Sequence, residues 1–383
     1  MKEENISKII NFNGEENFSY NPVSVPIYET SIFSFDDYDS LKKALSHEEK
    51  SHIYTRGYNP TIEVLEKKVA ALEFAESAKL FSSGIAAISA ATMAFLKCGD
   101  SVVCVKDCYG WTKALFGEYL QRFGIETIFV DGENTGEVFD SVKDNTKLIY
   151  LESPTSFTFK IQNIKEITSF AKKRNIKTVI DNSWATPIFQ NPIKMGVDIV
   201  VHSASKYIGG HSDVVAGIVV GSRNDIDHIF KTEFLNIGAI PGPFEAWLLL
   251  RGLRTLPIRM ERHMKSTQKI ISFLLNCPQV EEVIYPYYES HPQYELAKKQ
   301  MSGGSGLLSI RLKTTDENKI RDFTDTLKFF KKAVSWGGYE SLIIPCIATN
   351  PVNEKSAIIR MHIGLEDPEL LTEDLARAFK KIN

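Results

Sequence analysis

Val201-His202-Ser203-Ala204-Ser205-Lys206-Tyr207-Ile208-Gly209-Gly210-His211-Ser212-Asp213 places a lysine between two hydroxyl side chains, just past a short apolar run. Upstream, Lys177-Thr178-Val179-Ile180 ends on Asp181, and the interval of 206 − 181 = 25 residues leaves room for one further strand, Asp198 to Val201. An acid at one strand end and a lysine just beyond the next are what pyridoxal phosphate needs. The lysine holds its aldehyde as a Schiff base, and the acid keeps the pyridine nitrogen protonated so that the ring accepts electrons. Ser203 and Ser205 are candidate phosphate ligands. A lone lysine between serines is more often a solvated loop residue. The remaining cofactor groups must therefore come from elsewhere in the chain.

Working outward, short Val/Ile-rich runs alternate with amphipathic helices. Strands are predicted at Ala78–Phe81, Ser101–Val105, Thr127–Val130, Lys147–Glu152, Lys177–Asp181, Asp198–Val201 and Ala216–Val220. Runs of this kind are buried on both faces of a mostly parallel sheet between helices, an α/β architecture. An N-terminal arm with little helical periodicity extends to residue 55, and Asn59-Pro60 then opens a helix, Asn as cap and Pro in the first helical position. A large cofactor-binding domain is expected over 56–243. A C-terminal α+β domain over 244–383 starts with a helical stretch from Phe244 to Leu275, interrupted near Gly252 and Pro257, and holds a strand at Leu307–Leu312 and a helix at Asp316–Leu327.

Composition narrows the class. A net charge of −3 over 383 residues gives no basic excess for nucleic acid or an anionic membrane surface. No apolar stretch reaches membrane-spanning length, and Met1 to Phe18 has no apolar core of signal-peptide length. The five cysteines have no metal-ligand spacing, so no metal is expected, and they read as thiols of a reducing cytoplasm.

In open α/β sheets ligands bind beyond the carboxyl ends of the strands. There, Phe81 is followed by Ser82-Ser83-Gly84-Ile85, a turn into a helix whose free N–H groups make an anion site. Glu152-Ser153-Pro154-Thr155 ends another strand, Asp181-Asn182 the next, and Ser203 to Lys206 the one after. Four strand ends with complementary chemistry are an improbable accident.

Several blocks make the chain resemble the Cys/Met-metabolism family of pyridoxal-phosphate enzymes, the cystathionine synthases, lyases and their relatives. They include Val23–Phe33, Tyr54-Thr55-Arg56-Gly57-Tyr58-Asn59-Pro60-Thr61, Ser83-Gly84-Ile85-Ala86-Ala87, Asp107-Cys108-Tyr109-Gly110, Glu152-Ser153-Pro154, Arg251-Gly252-Leu253-Arg254 and Ile359-Arg360-Met361-His362-Ile363-Gly364. The resemblance implies a fold-type I, aspartate-aminotransferase-like fold with pyridoxal 5'-phosphate as cofactor. It makes Lys206 the Schiff-base lysine and Asp181 the partner of the pyridine nitrogen. Tyr109 stacks on the ring and shuttles a proton, and Ser83, Gly84, Ile85, Ser203 and Ser205 form the phosphate cup. Tyr54 and Arg56 reach the phosphate of a neighbouring subunit, which implies a homodimer with shared sites, usually paired into a homotetramer. Arg360 grips the substrate α-carboxylate, a bidentate task suited to its planar fork, with Ser335 and Trp336 beside the substrate.

Departures from the family pattern bear on the reaction. Trp336 stands where most members carry leucine. Val334 occupies a position that is glutamate in the γ-synthases and γ-lyases, where it faces the distal amine of cystathionine. Ser156 replaces an asparagine, and Gly303-Gly304-Ser305-Gly306-Leu307 differs from the common pattern. Together these look most like one branch of the cystathionine β-lyases. Tyr54-Thr55-Arg56-Gly57-Tyr58 and Tyr109-Gly110-Trp111-Thr112 belong to the broader γ-type pattern, although Trp111 stands where methionine γ-lyases have cysteine. Asn350 replaces a histidine and the stretch from Thr349 to Ile359 is short. The expected activity is β-elimination from cystathionine or a related cysteine thioether, giving a thiol, pyruvate and ammonia. The alternative is γ-type chemistry on sulfur amino acids.

Overall fold

The computed structural model describes residues 3–16, 18–346 and 357–382. Two sheets organise them. The first contains β1 (Ser77–Phe81), β2 (Ser101–Val105), β3 (Glu126–Val130), β4 (Thr146–Glu152), β5 (Lys177–Asp181), β6 (Ile199–Ser203) and β7 (Gly217–Gly221), in the order β1-β7-β6-β5-β4-β2-β3. All run parallel except β7, which is antiparallel to both of its neighbours. Every residue of β2 and β7 is buried, as expected of strands covered on both faces. The seven runs read from the sequence match these strands to within one residue at the start and two at the end. The reversed direction of β7 is new, since a doubly buried apolar run reads alike in either sense.

The second sheet holds β8 (Val280–Ile284), β9 (Leu307–Leu312), β10 (Lys331–Lys332), β11 (Leu342–Pro345) and β12 (Ile358–His362), in the order β10-β11-β12-β9-β8. The helical stretch before it divides at Thr255 into Pro243–Arg254 and Leu256–Leu274, where a proline opens the second helix. The first of these helices buries Leu249, Leu250 and Leu253 in the core of the seven-stranded sheet. The core of the second sheet recruits Phe159 and Trp184 from the loops after β4 and β5.

The helix predicted at Asn59-Pro60 runs from Pro60 to Glu73, with the Asn59 side chain accepting from the Thr61 N–H at 3.0 Å. The N-terminal arm is more ordered than its sequence suggests, with helices Glu3–Phe12 and Tyr38–Ser46, the latter capped by Asp37. The buried Lys68 ammonium fastens the arm to the core, donating to the Ile9 and Ile10 carbonyls and pairing with Glu15 at 2.9 Å. Among the described residues no helix is long and apolar enough to cross a membrane.

Candidate active site

The carboxyl ends of β1, β4, β5 and β6 open into a cavity of about 830 Å³ between the two sheets. Ser83, Gly84, Ile85, Tyr109, Asp181, Ser203, Ser205, Lys206, Ser335, Trp336 and Arg360 all line it. Tyr54 and Arg56 do not; they lie outside the cavity, the Arg56 guanidinium 5.6 Å from the Tyr54 ring centroid.

One end of the cavity is built for an anion. Ser83 caps helix Gly84–Met93, its hydroxyl accepting from the Ala86 N–H at 3.1 Å. The N–H groups of Gly84 and Ile85 have no acceptor among the described residues. Gly84 faces Ser203 so closely that a Cβ there would stand 3.0 Å from the serine Cβ and Oγ. This cradle matches a phosphate held at a helix N-terminus. Ser205 lines it too, while its hydroxyl donates to the Ala216 carbonyl at 3.1 Å and accepts from the Ala216 N–H at 3.0 Å.

Asp181 ends β5, directly in register with Glu152 on β4 and Val201 on β6. One Asp181 oxygen accepts from the Ser183 N–H at 2.8 Å. Burial raises its pKa above the usual carboxylate range. Burial and the neighbouring Asp181 push Glu152 up to about 8. Glu152 accepts from the Tyr109 N–H at 2.7 Å and from the Ser156 hydroxyl at 2.8 Å, and so holds the loop that carries Tyr109. The sequence singled out Glu152 as a strand end but not as a member of the site; its register with Asp181 puts it there.

Lys206 follows β6, and its Nζ donates to Ser335 Oγ at 2.7 Å. Burial, then the Arg360 cation, lower its pKa to about 8. Ser335 has φ +74°, in the left-handed region, and its carbonyl accepts from Arg360 Nη2 at 3.2 Å. A Cβ on Gly337 would lie 2.8 Å from the Tyr207 nitrogen and 2.9 Å from Lys206 Cα, so this loop packs against the lysine backbone with no room for a side chain. Between the two, Trp336 places its ring 5.6 Å from Lys206 Nζ. Val334, 72% exposed, lies at the rim. Asn350 and residues 349–356 lie outside the described residues.

The anion cradle, the strand-end acid and the adjacent lysine, with the volume between them, fit pyridoxal phosphate, and they define a pyridoxal-phosphate enzyme of α/β fold. Comparison with known proteins agrees. The pattern of the Cys/Met metabolism PLP-dependent enzyme family matches residues 7–380, and the chain belongs to that family. It is 42% identical to an L-methionine gamma-lyase of Fusobacterium nucleatum over 375 residues, covering 95% of each chain. It is 40% identical to a cystathionine beta-lyase of Lactococcus lactis over 369 residues, 94% of each chain. The crystal structure of metB from Corynebacterium glutamicum superposes with a TM-score of 0.92 at 36% identity, covering 99% of this chain and 98% of that one. The expected fold class is thereby borne out.

Proposed function

We propose that this pyridoxal-phosphate-dependent carbon–sulfur lyase breaks the Cβ–S bond of cystathionine or a related cysteine thioether, giving a thiol, pyruvate and ammonia. When bound, the cofactor supplies an electron sink that stabilises negative charge at the substrate Cα. Gly84, Ile85, Ser83, Ser203 and Ser205 would hold its phosphate, Asp181 would keep its ring nitrogen protonated, and Tyr109 would pack against it from the same cavity. Arg360 receives the α-carboxylate, with Ser335 and Trp336 alongside. Lys206 Nζ takes the Cα proton. A lysine at its ordinary pKa is a poor base near neutrality, and lowering to about 8 makes the free amine available there. Tyr109, its pKa raised by burial and by Glu152, keeps its phenolic proton for the departing sulfur.

The observation that carries this reading is the Trp336 ring, its centroid 5.6 Å from a Lys206 Nζ that donates to Ser335 Oγ at 2.7 Å. β-Elimination asks the amine for one proton, at Cα. γ-Elimination asks for a second, at Cβ, and so for a swing of the amine on the side where the Trp336 ring stands. Val334 also offers no charge to a distal ammonium. The γ-type alternative has the methionine gamma-lyase relative in its favour. Trp336→Leu tests the choice. It is expected to raise the ratio of 2-oxobutyrate to pyruvate formed from cystathionine by about tenfold, or about 1.4 kcal/mol between the two barriers. An unchanged ratio in an active variant removes Trp336 from the argument.

We further propose a homodimer in which Tyr54 and Arg56 complete the partner's phosphate site, paired into a homotetramer in the cytoplasm. The placement of both residues outside their own cavity supports the exchange, as do exposed Tyr54, Trp111 and Phe244. The thiols of Cys98, Cys104, Cys108 and Cys277, which form no disulfide, suit a reducing compartment. The division at 56 and 244 is proposed with it, although helix Pro243–Arg254 packs on the first core.

A further inference from the structure

The loop after β4 carries two aromatic residues in a conformation they rarely adopt. Phe157 has φ +62° and Phe159 has φ +47°. A bulky side chain in the left-handed region is strained, and the strain persists only where the surroundings over-determine the backbone. Here they do. The Thr155 N–H donates to the Lys160 carbonyl at 3.0 Å, and the Lys160 N–H returns to Thr155 Oγ1 at 3.0 Å. The Ser156 N–H donates to the Asp107 carbonyl at 2.9 Å, its hydroxyl donates to Glu152 at 2.8 Å, and Thr158 Oγ1 donates to Asp107 Oδ2 at 3.0 Å. Phe159 is buried beside Trp184 and anchors the loop in the second core.

Phe157 has a different fate. It lines the cavity, and its ring centroid lies 4.8 Å from Arg360 Cζ. Arg360 forms no ion pair with an acid among the described residues; its hydrogen-bond acceptor is the Ser335 carbonyl. A guanidinium whose face rests on an aromatic ring keeps its edge free for two parallel hydrogen bonds to a carboxylate.

We propose that Phe157 is a positioning residue whose ring backs the Arg360 guanidinium and presents its edge to the substrate α-carboxylate. The strained loop exists to put an aromatic face there. This rests on the reading of Arg360 as the carboxylate ligand, and the test separates the two. The cofactor-loaded enzyme is titrated spectroscopically with L-2-aminobutyrate, which has the carboxylate and no leaving group, and with n-propylamine, which lacks the carboxylate. Replacing the ring by an aliphatic side chain (Phe157→Leu, or Phe157→Met should the first not fold) weakens 2-aminobutyrate about fivefold and leaves propylamine within about twofold. Phe157→Tyr restores the wild-type value. With cystathionine the aliphatic variants raise KM by the same factor at nearly constant kcat. Equal weakening of both amines, or no weakening of either, overturns the proposal. If Arg360→Lys leaves the preference for 2-aminobutyrate over propylamine intact, the carboxylate role of Arg360 fails and Phe157's role with it. If Arg360→Lys abolishes that preference but the Phe157 variants do not reduce it, Phe157 alone is refuted.

Discussion

Gly84→Ala separates cofactor binding from folding. The added methyl would stand 3.0 Å from Ser203 Cβ and Oγ and 3.2 Å from Ser203 Cα. Either the helix start or the end of β6 must give way by a fraction of an ångström. Overpacking of this sort costs about 1–3 kcal/mol. Replacing glycine by alanine in a helix returns up to about 1 kcal/mol, so the apoprotein loses at most about 3 kcal/mol, which thermal melts of the apoprotein read directly. The cradle is hit harder, because the Gly84 and Ile85 N–H groups and Ser203 converge on one anion. Losing one charge-assisted hydrogen bond of about 1.5–3 kcal/mol weakens binding by about 10- to 150-fold. The assay is an absorbance titration of apoprotein with pyridoxal phosphate, with thermal melts run in the cofactor's absence. Cofactor affinity within about twofold of wild type would refute the cradle.

Two further outcomes follow from the geometry. An Arg56→Ala chain and a Lys206→Ala chain, each inactive alone, should regain activity when mixed, because a two-fold dimer then has one site with both groups intact. Inactive mixtures with proven subunit exchange would contradict the shared site. In the apoprotein, acylation of Lys206 should rise as pH passes about 8, since burial and Arg360 both disfavour the ammonium. Arg360→Met removes the second cause and should move the midpoint upward; a wild-type midpoint at the ordinary 10.5 would contradict the assignment.

Much of this was legible in the chain because buried parallel strands advertise themselves. Val102, Val103, Val179 and Val200 belong to runs too short for helices and too apolar for loops. Ligand chemistry at the ends of such runs then singles out Asp181 and Lys206. Other features had no local signal. The hydrogen bonds that force Phe157 and Phe159 into positive φ reach back to Asp107, and no glycine or asparagine marks the turn. Glu152 joins the site only through its register with Asp181. Helix Tyr38–Ser46 did carry a readable cue, Asp37 as cap with the Ser40 N–H donating to it at 2.7 Å, but the prolines earlier in the arm masked it.

The choice of bond is tested most directly by the keto acid formed from cystathionine. β-Elimination yields pyruvate, homocysteine and ammonia, whereas γ-elimination yields 2-oxobutyrate, cysteine and ammonia. With the Trp336 ring 5.6 Å from Lys206 Nζ and Val334 uncharged at the rim, purified enzyme loaded with pyridoxal phosphate should give pyruvate as the dominant keto acid by chromatography. Mainly 2-oxobutyrate, or product only when an activated homoserine and a second thiol are supplied, would contradict the assignment and place the enzyme in the γ-branch.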